Sequence, residues 1–326
     1  MEPDWWIELE STYQERIKQR KELYGLHGKL ILNALPGSEA ACTELMDMVI
    51  QFLCTRYPAQ FQYYPRSGLF HNQILGLCAD TRTIHALGFL LDHVPEDFIV
   101  TQEDKATGLY VLTGGVVCSA VGWNLSEKIG KPLHEIHGPV PDYKERMQYS
   151  MDRCVVPSKD KPHTLLYLLR FFSKMPCDKP IQRGSWSLEI DQPLFAQIGD
   201  PHFTGRDAQR ADLHLEDIHL RVDWQTLRRL PKSRAIVFNY KALFTPITDL
   251  QQEPYIPKLF AKILRNGKPE YLKYKSTYHV EHRVSPALDL WAKEQEDKGW
   301  VPKDWTEKTL DEDPYYPGWE RQMRSC

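Results

Sequence analysis

The sequence predicts an α+β fold, one domain built on an antiparallel sheet, from three observations. Strand-like segments follow one another through the middle of the chain, and segments with helical periodicity gather before and after them. No strand opens into GxGxxG, the fingerprint of a doubly wound parallel sheet.

The elements follow in order. Glu8–Tyr24 is charged and predicts a first helix, and Pro36-Gly37 a turn. Ser38 suits an N-cap, and Leu45, Met48, Val49 and Phe52 recur at three- and four-residue spacing, so Glu39–Arg56 predicts an amphipathic helix. Tyr63–Gly76 reads as loop and Thr81–Val94 as a helix. Phe98–Val100 and Tyr110–Val121 read as strands, and Gly114-Gly115 inside the second predicts a bulge or a close approach of backbone. Trp123–Pro141 reads as a loop or broken helix, followed by helices over Tyr143–Cys154 and His163–Lys174. Strands are then expected over Ile181–Ile190, Asp212–Val222 and Arg234–Phe244, with Leu227–Pro231 in the turn between the last two. Pro257–Asn266 and Pro286–Lys298 predict the closing helices, and an irregular tail is expected beyond Trp300. In domain terms, a helical segment (1–60) packs on a core (61–270), and a C-terminal helix and tail (271–326) complete a single structural unit.

With 326 residues, 42% of them hydrophobic, the chain is long enough to bury a core and a cofactor without disulfides. The net charge of −3 and the lack of a basic stripe argue against nucleic-acid binding. The most apolar stretches, Ala86–Val100 and Val111–Val121, are too short and too interrupted for a membrane span. Seven scattered cysteines without a CxxC pair indicate neither a zinc ribbon nor a disulfide framework, so a reducing cytoplasm is the expected location. No P-loop, GxSxG or HExxH motif is present, which sets aside nucleotide-driven chemistry and the common hydrolase layouts.

The segment with most chemical content is Leu133-His134-Glu135-Ile136-His137-Gly138-Pro139-Val140-Pro141. Gly138 removes a side chain beside His137, so a flat ligand can approach the backbone, and the two prolines stiffen the exit. A rigid imidazole in an apolar pocket is what haem iron requires of a protein ligand, with Glu135 or a backbone carbonyl to fix its tautomer. The same residues also suit a helix end stopped by Gly and Pro with a surface histidine. A rival site is His214, Glu216 and His219: two histidines and a carboxylate hold non-haem iron if a bulge at Glu216-Asp217 brings all three to one side. A solvated outer face explains that segment equally. Arg221 and Asp223, at a strand end, suit a cofactor edge, with Arg221 pairing a carboxylate such as a haem propionate; the same segment also reads as a charged strand-to-turn connection. Trp186 reads as a core aromatic or a substrate wall.

Taken together and in order, these segments resemble the haem-dependent oxidative N-demethylase family. The matching text is Val100–Asp104, Gly122-Trp123-Asn124 with Glu127–Leu133, Ile136–Pro141, Ser185–Leu188 and Gln225–Pro231, across roughly residues 60–265. The family has many fungal members of unassigned substrate, and the chain looks closer to those. The resemblance implies a PAS-like antiparallel sheet with flanking helices enclosing a haem pocket. It implies that His137 ligates haem b, with Gly138, Trp123 and Arg221 beside the cofactor. It further implies that Asp223 lies on the oxygen-binding side and that Trp186 contacts the pocket. Two departures stand out: Asp223 where the family usually has Glu, and Trp224 where it has Arg. The implied activity is a monooxygenase acting on a C–H beside nitrogen or another heteroatom of a small molecule, with O2 and a separate reductase, because no flavin or iron–sulfur motif is present. A haem or small-ligand sensor without turnover, and the non-haem site at His214, Glu216 and His219, are the alternatives.

Overall fold

The computed structural model describes residues 6–138, 140–141 and 171–306. The expected helix Tyr143–Cys154, most of the one at His163–Lys174 and the tail beyond 306 lie outside them. The fold is mixed α/β, with antiparallel sheets and flanking helices, in two compact units. The first draws on Met1–Ser185, Leu194–Ile198 and Asp223–Ala242, and the second on Trp186–Pro193, Gly199–Val222 and Leu243–Cys326. The main sheet has six strands: β1 (Leu32–Ala34), β5 (Asp97–Glu103), β6 (Tyr110–Val116), β7 (Ile181–Ile190), β8 (Ile218–Arg229) and β9 (Ile236–Pro246). They lie in the order β1-β6-β5-β9-β8-β7, and β7, β8 and β9 each contribute residues to both units.

In the first unit, α1 (Tyr13–His27) and α3 (Ala86–His93) form within the two regions expected to be helical or close to them, and α2 (Glu39–Arg56) follows its apolar periodicity, with Leu45, Val49 and Leu53 fully buried. Ser38 precedes α2 as expected, but its hydroxyl donates to Leu35 O and caps nothing. The double glycine of β6 behaves as predicted on both counts. The register between β5 and β6 slips at Val100/Thr101, leaving Thr113 as the bulged residue. A Cβ on Gly115 would stand 2.7 Å from Phe98 O, so the strands approach too closely there for any side chain.

Several expectations are corrected. The supposed loop after α2 is a second sheet of three four-residue strands, β2 (Phe61–Tyr64), β3 (Leu69–Asn72) and β4 (Leu77–Asp80), paired antiparallel. Strands that short show no period to read, and Gly68 and Gly76, both at positive φ, make their turns. Asp212–Val222 is not one strand: Leu215–Asp217 is a single 3-10 turn, and β8 starts at Ile218. β8 then continues through the supposed turn to Arg229, and the chain reverses over Pro231–Ser233.

The second unit contains α7 (Pro201–Thr204), α8 (Ile256–Asn266), α9 (Pro269–Tyr274) and α10 (Tyr278–Asp297), numbered after α4 (Leu125–Lys128), α5 (Leu133–Ile136) and α6 (Phe171–Lys174) of the first. α10 runs through Pro286 instead of starting there. Burial of Val280, Val284, Leu288 and Trp291 against Phe260, Leu188 and Ile218 outweighs the backbone hydrogen bond that proline removes.

Candidate functional site

One face of the first unit's sheet carries Ile99, Tyr110, Leu112, Leu227, Ile236 and Tyr240, and α4 and α5 cover it through Leu125 and Leu133. Trp123 and Ile136 pack against the same clusters. The chain is fastened there step by step. Asn124 caps α4 by accepting from Glu127 N at 3.1 Å, and its amide donates to Gln197 Oε1 at 3.0 Å. Gly130, at φ +81°, turns the chain so that its N–H donates to Leu112 O while Leu112 N–H donates to Lys131 O. Pro132 then stands at the N-cap of the single turn of α5.

His137 ends that turn. Its backbone N–H donates to Leu133 O at 3.1 Å, and its ring Nδ1 lies 2.7 Å from the same oxygen. A carbonyl only accepts, so Nδ1 carries the proton and Nε2 holds the ring's lone pair. The tautomer is therefore set by a backbone carbonyl, and Glu135 instead sits 4.0 Å from His134 Nε2. Burial above all pushes the His137 pKa down; the Leu133 hydrogen bond opposes it, and the smaller like-charge repulsion of Arg183 and then Lys128 adds to burial. The ring is neutral at pH 7. Lys128, half-buried at the end of α4, donates from Nζ to Ile136 O at 3.1 Å. A Cβ on Gly138 would meet only Glu135 O, at 3.6 Å, so the surrounding described chain has room for one.

Asp223 and Trp224 are both half-buried in β8, which refutes their expected place at a strand end. Alternation along the strand puts Asp223 on the side of Leu227, the face that carries α5. Trp224 falls on the side of Thr226 and Arg228. There the Thr226 hydroxyl and the Trp6 indole both donate to Asn239 Oδ1, and the Arg228 guanidinium lies 4.1 Å from the Trp6 ring centroid. The two departures from the family text thus lie on opposite faces of the strand.

Trp186 and Arg221 belong to the second unit. Trp186 meets Phe260 edge-on at 5.3 Å and packs on the unit's core. Arg221 is buried, with its guanidinium 5.7 Å from the Phe244 ring centroid and Nη1 donating to Pro193 O. The same unit holds a buried cluster that sequence reasoning missed. Glu189 accepts from Arg206, from Ser187 Oγ at 2.8 Å and from His202 Nε2 at 3.4 Å. Burial acts against the carboxylate, but the hydrogen bonds from His202 and Arg206 and the Arg206 and Arg221 charges prevail and hold its pKa at about 2. His279 is 1% exposed with no well-formed hydrogen bond on either ring nitrogen among the described residues, and burial lowers its pKa to about 4. His202 and Arg206 lie 13 and 17 residues from Glu189, beyond any local signal.

The rival iron site does not assemble. His214 and Glu216 are exposed on either side of Leu215, while His219 is buried with Nε2 accepting from Gln192 and Nδ1 facing Asp217 O. The 3-10 turn stands where a bulge was expected, and among the described residues no group of three or more His, Cys, Asp or Glu side chains is arranged to hold a metal ion. Among them, too, no helix is long and apolar enough to cross a membrane. A family model described as "Haem-dependent oxidative N-demethylase, alpha subunit-like" matches residues 1–285.

Proposed function

Because the chain belongs to the haem-dependent oxidative N-demethylase, alpha subunit-like family, we propose that it is a haem-dependent monooxygenase of a small organic molecule, with His137 as the protein ligand to iron. The observation that carries this is the state of His137: a desolvated, neutral imidazole whose Nδ1 proton is committed to Leu133 O, so that the basic nitrogen is Nε2. Histidines that bind metals are oriented in this way by a hydrogen bond on the other ring nitrogen. The residues present therefore fit a haem, which would take its one protein ligand from this imidazole. The PAS-like reading of the fold draws support from the five strands after the small sheet. Numbered along the chain, they lie in the order 2-1-5-4-3, with α4 and α5 in the connection between the second and third.

Haem b, when bound, supplies the activation of O2 that no side chain provides. The chain's own groups do the rest. Leu133 O fixes the tautomer and direction of His137, and Gly138 keeps bulk away beside it. The apolar face around Leu112, Leu133 and Leu227 excludes water. Asp223, on that face, orients the substrate or relays protons. In the reaction, one O2, two electrons from a separate reductase and two protons convert a C–H beside nitrogen to C–OH and release water. The carbinolamine then breaks its C–N bond to give amine and aldehyde. The indole of Trp224 in place of a cation removes one positive charge from β8, on the face opposite Asp223.

Hemin titration tests the proposal. The purified chain should take up one equivalent and develop a Soret band, and His137→Ala should lose that band or shift it. A colourless wild-type protein, or an unchanged spectrum in His137→Ala, refutes the assignment.

A further inference from the structure

We propose that Lys128 is a positioning residue for His137, acting through the peptide group that joins Ile136 to His137. The proposal takes its functional meaning from the ligand role of His137, but its geometry stands apart from that role.

α5 is one turn long and cannot hold its shape by its own hydrogen bonds. Its last carbonyls belong to the set that a helix leaves without a partner in its own ladder. At this end the 136–137 peptide is held at both polar atoms. Its N–H donates to Leu133 O at 3.1 Å, and its C=O accepts from Lys128 Nζ at 3.1 Å. Fixing that plane fixes the bond from which the His137 side chain departs. Leu133 O also receives the ring Nδ1, so the imidazole direction depends on this turn keeping its register. Lys128 comes from the preceding helix, whose link to α5 is clamped to β6 at Leu112, so its ammonium arrives from a fixed base. A lysine with no such task keeps its charge in water. This one is half-buried and turned onto a carbonyl eight residues on, and burial lowers its pKa.

The test begins with the cofactor-free full chain, labelled with 15N-histidine and with His137 assigned from a His137→Gln variant. Wild type and Lys128→Arg, which keeps a charged donor, should show the Nδ1–H tautomer. Lys128→Met should show tautomer averaging at this one histidine. Hemin titration follows, read by the Soret and ligand-sensitive visible bands. Lys128→Met should bind about 10–100-fold more weakly with an altered ligand spectrum, the usual effect of removing a group that orients a metal-binding imidazole. Lys128→Arg should stay near wild type. An unchanged tautomer and affinity in Lys128→Met overturns the proposal. If circular dichroism shows Lys128→Met unfolded, Lys128→Arg decides: loss of the Nδ1–H tautomer in that folded variant overturns it equally. The two readings fail separately. A wild type that takes no hemin but shows the Lys128-dependent tautomer removes the haem assignment alone. Undiminished hemin binding through His137 in Lys128→Met removes the role of Lys128 alone.

Discussion

Acid should weaken the first unit through one histidine. His93 closes α3 and is 2% exposed, packed against Phe89 and Phe70 at centroid distances of 4.7 and 5.2 Å. The Asn72 amide donates to its Nδ1 at 3.2 Å and to the Tyr13 hydroxyl, which donates in turn to His93 O. A proton on Nδ1 would point at the Asn72 NH2 group, itself a donor. Burial lowers the pKa from 6.5 to about 4. The unfolded chain therefore gains a proton below about pH 6.5 that the folded chain refuses until about pH 4. Stability is highest above this window and falls as pH drops through it. From pH 7 to pH 5 this group alone costs about 2 kcal/mol. Urea denaturation at the two pH values, followed by tryptophan fluorescence, measures the loss. His93→Gln keeps an acceptor for Asn72 and does not titrate, so its loss should be smaller by about that amount. An identical pH dependence in wild type and His93→Gln would refute the reasoning.

Other outcomes follow from the same kind of accounting. Gly115→Ala should destabilise by about 1–3 kcal/mol in urea titration, because the new methyl meets the Phe98 carbonyl and backbone must move. Gly138→Ala has room among the described residues, so its melting temperature should stay at the wild-type value while hemin affinity falls. Glu189→Gln should cost about 3–5 kcal/mol at pH 7 by leaving Arg206 without its buried counter-charge. In the wild type, the Glu189 contribution is full above about pH 4.5 and lost as pH falls toward 2, and acid titration of both proteins should show the variant lacking that step.

The environment of His137 is built from backbone more than from side chains. Leu133 O, Leu112 and the 136–137 peptide do the positioning. Substitutions at Glu135 should therefore matter less than the sequence suggests. The second unit's Glu189 cluster is satisfied mostly by His202 and Arg206, well away from it in the chain, and Arg221 is held there by Pro193 O and Phe244 as well as by the field of Glu189.

What the chain determined by itself was whatever neighbours within about four residues decide. α2 covers Glu39–Arg56, β7 covers Ile181–Ile190, and α5 stops where Gly138 and the prolines follow His137. Period, turn chemistry and breakers act through local backbone angles and short-range contacts, so they can be read from the text. The tertiary structure alone decided which residues meet: β2–β4 as a sheet, α10 through Pro286, Asp223 and Trp224 on opposite faces, Leu133 O and Lys128 around His137, and Arg206 on Glu189. Those outcomes depend on burial and pairing between segments far apart in the chain, where packing energy overrides local preference, and no local pattern encodes the partner.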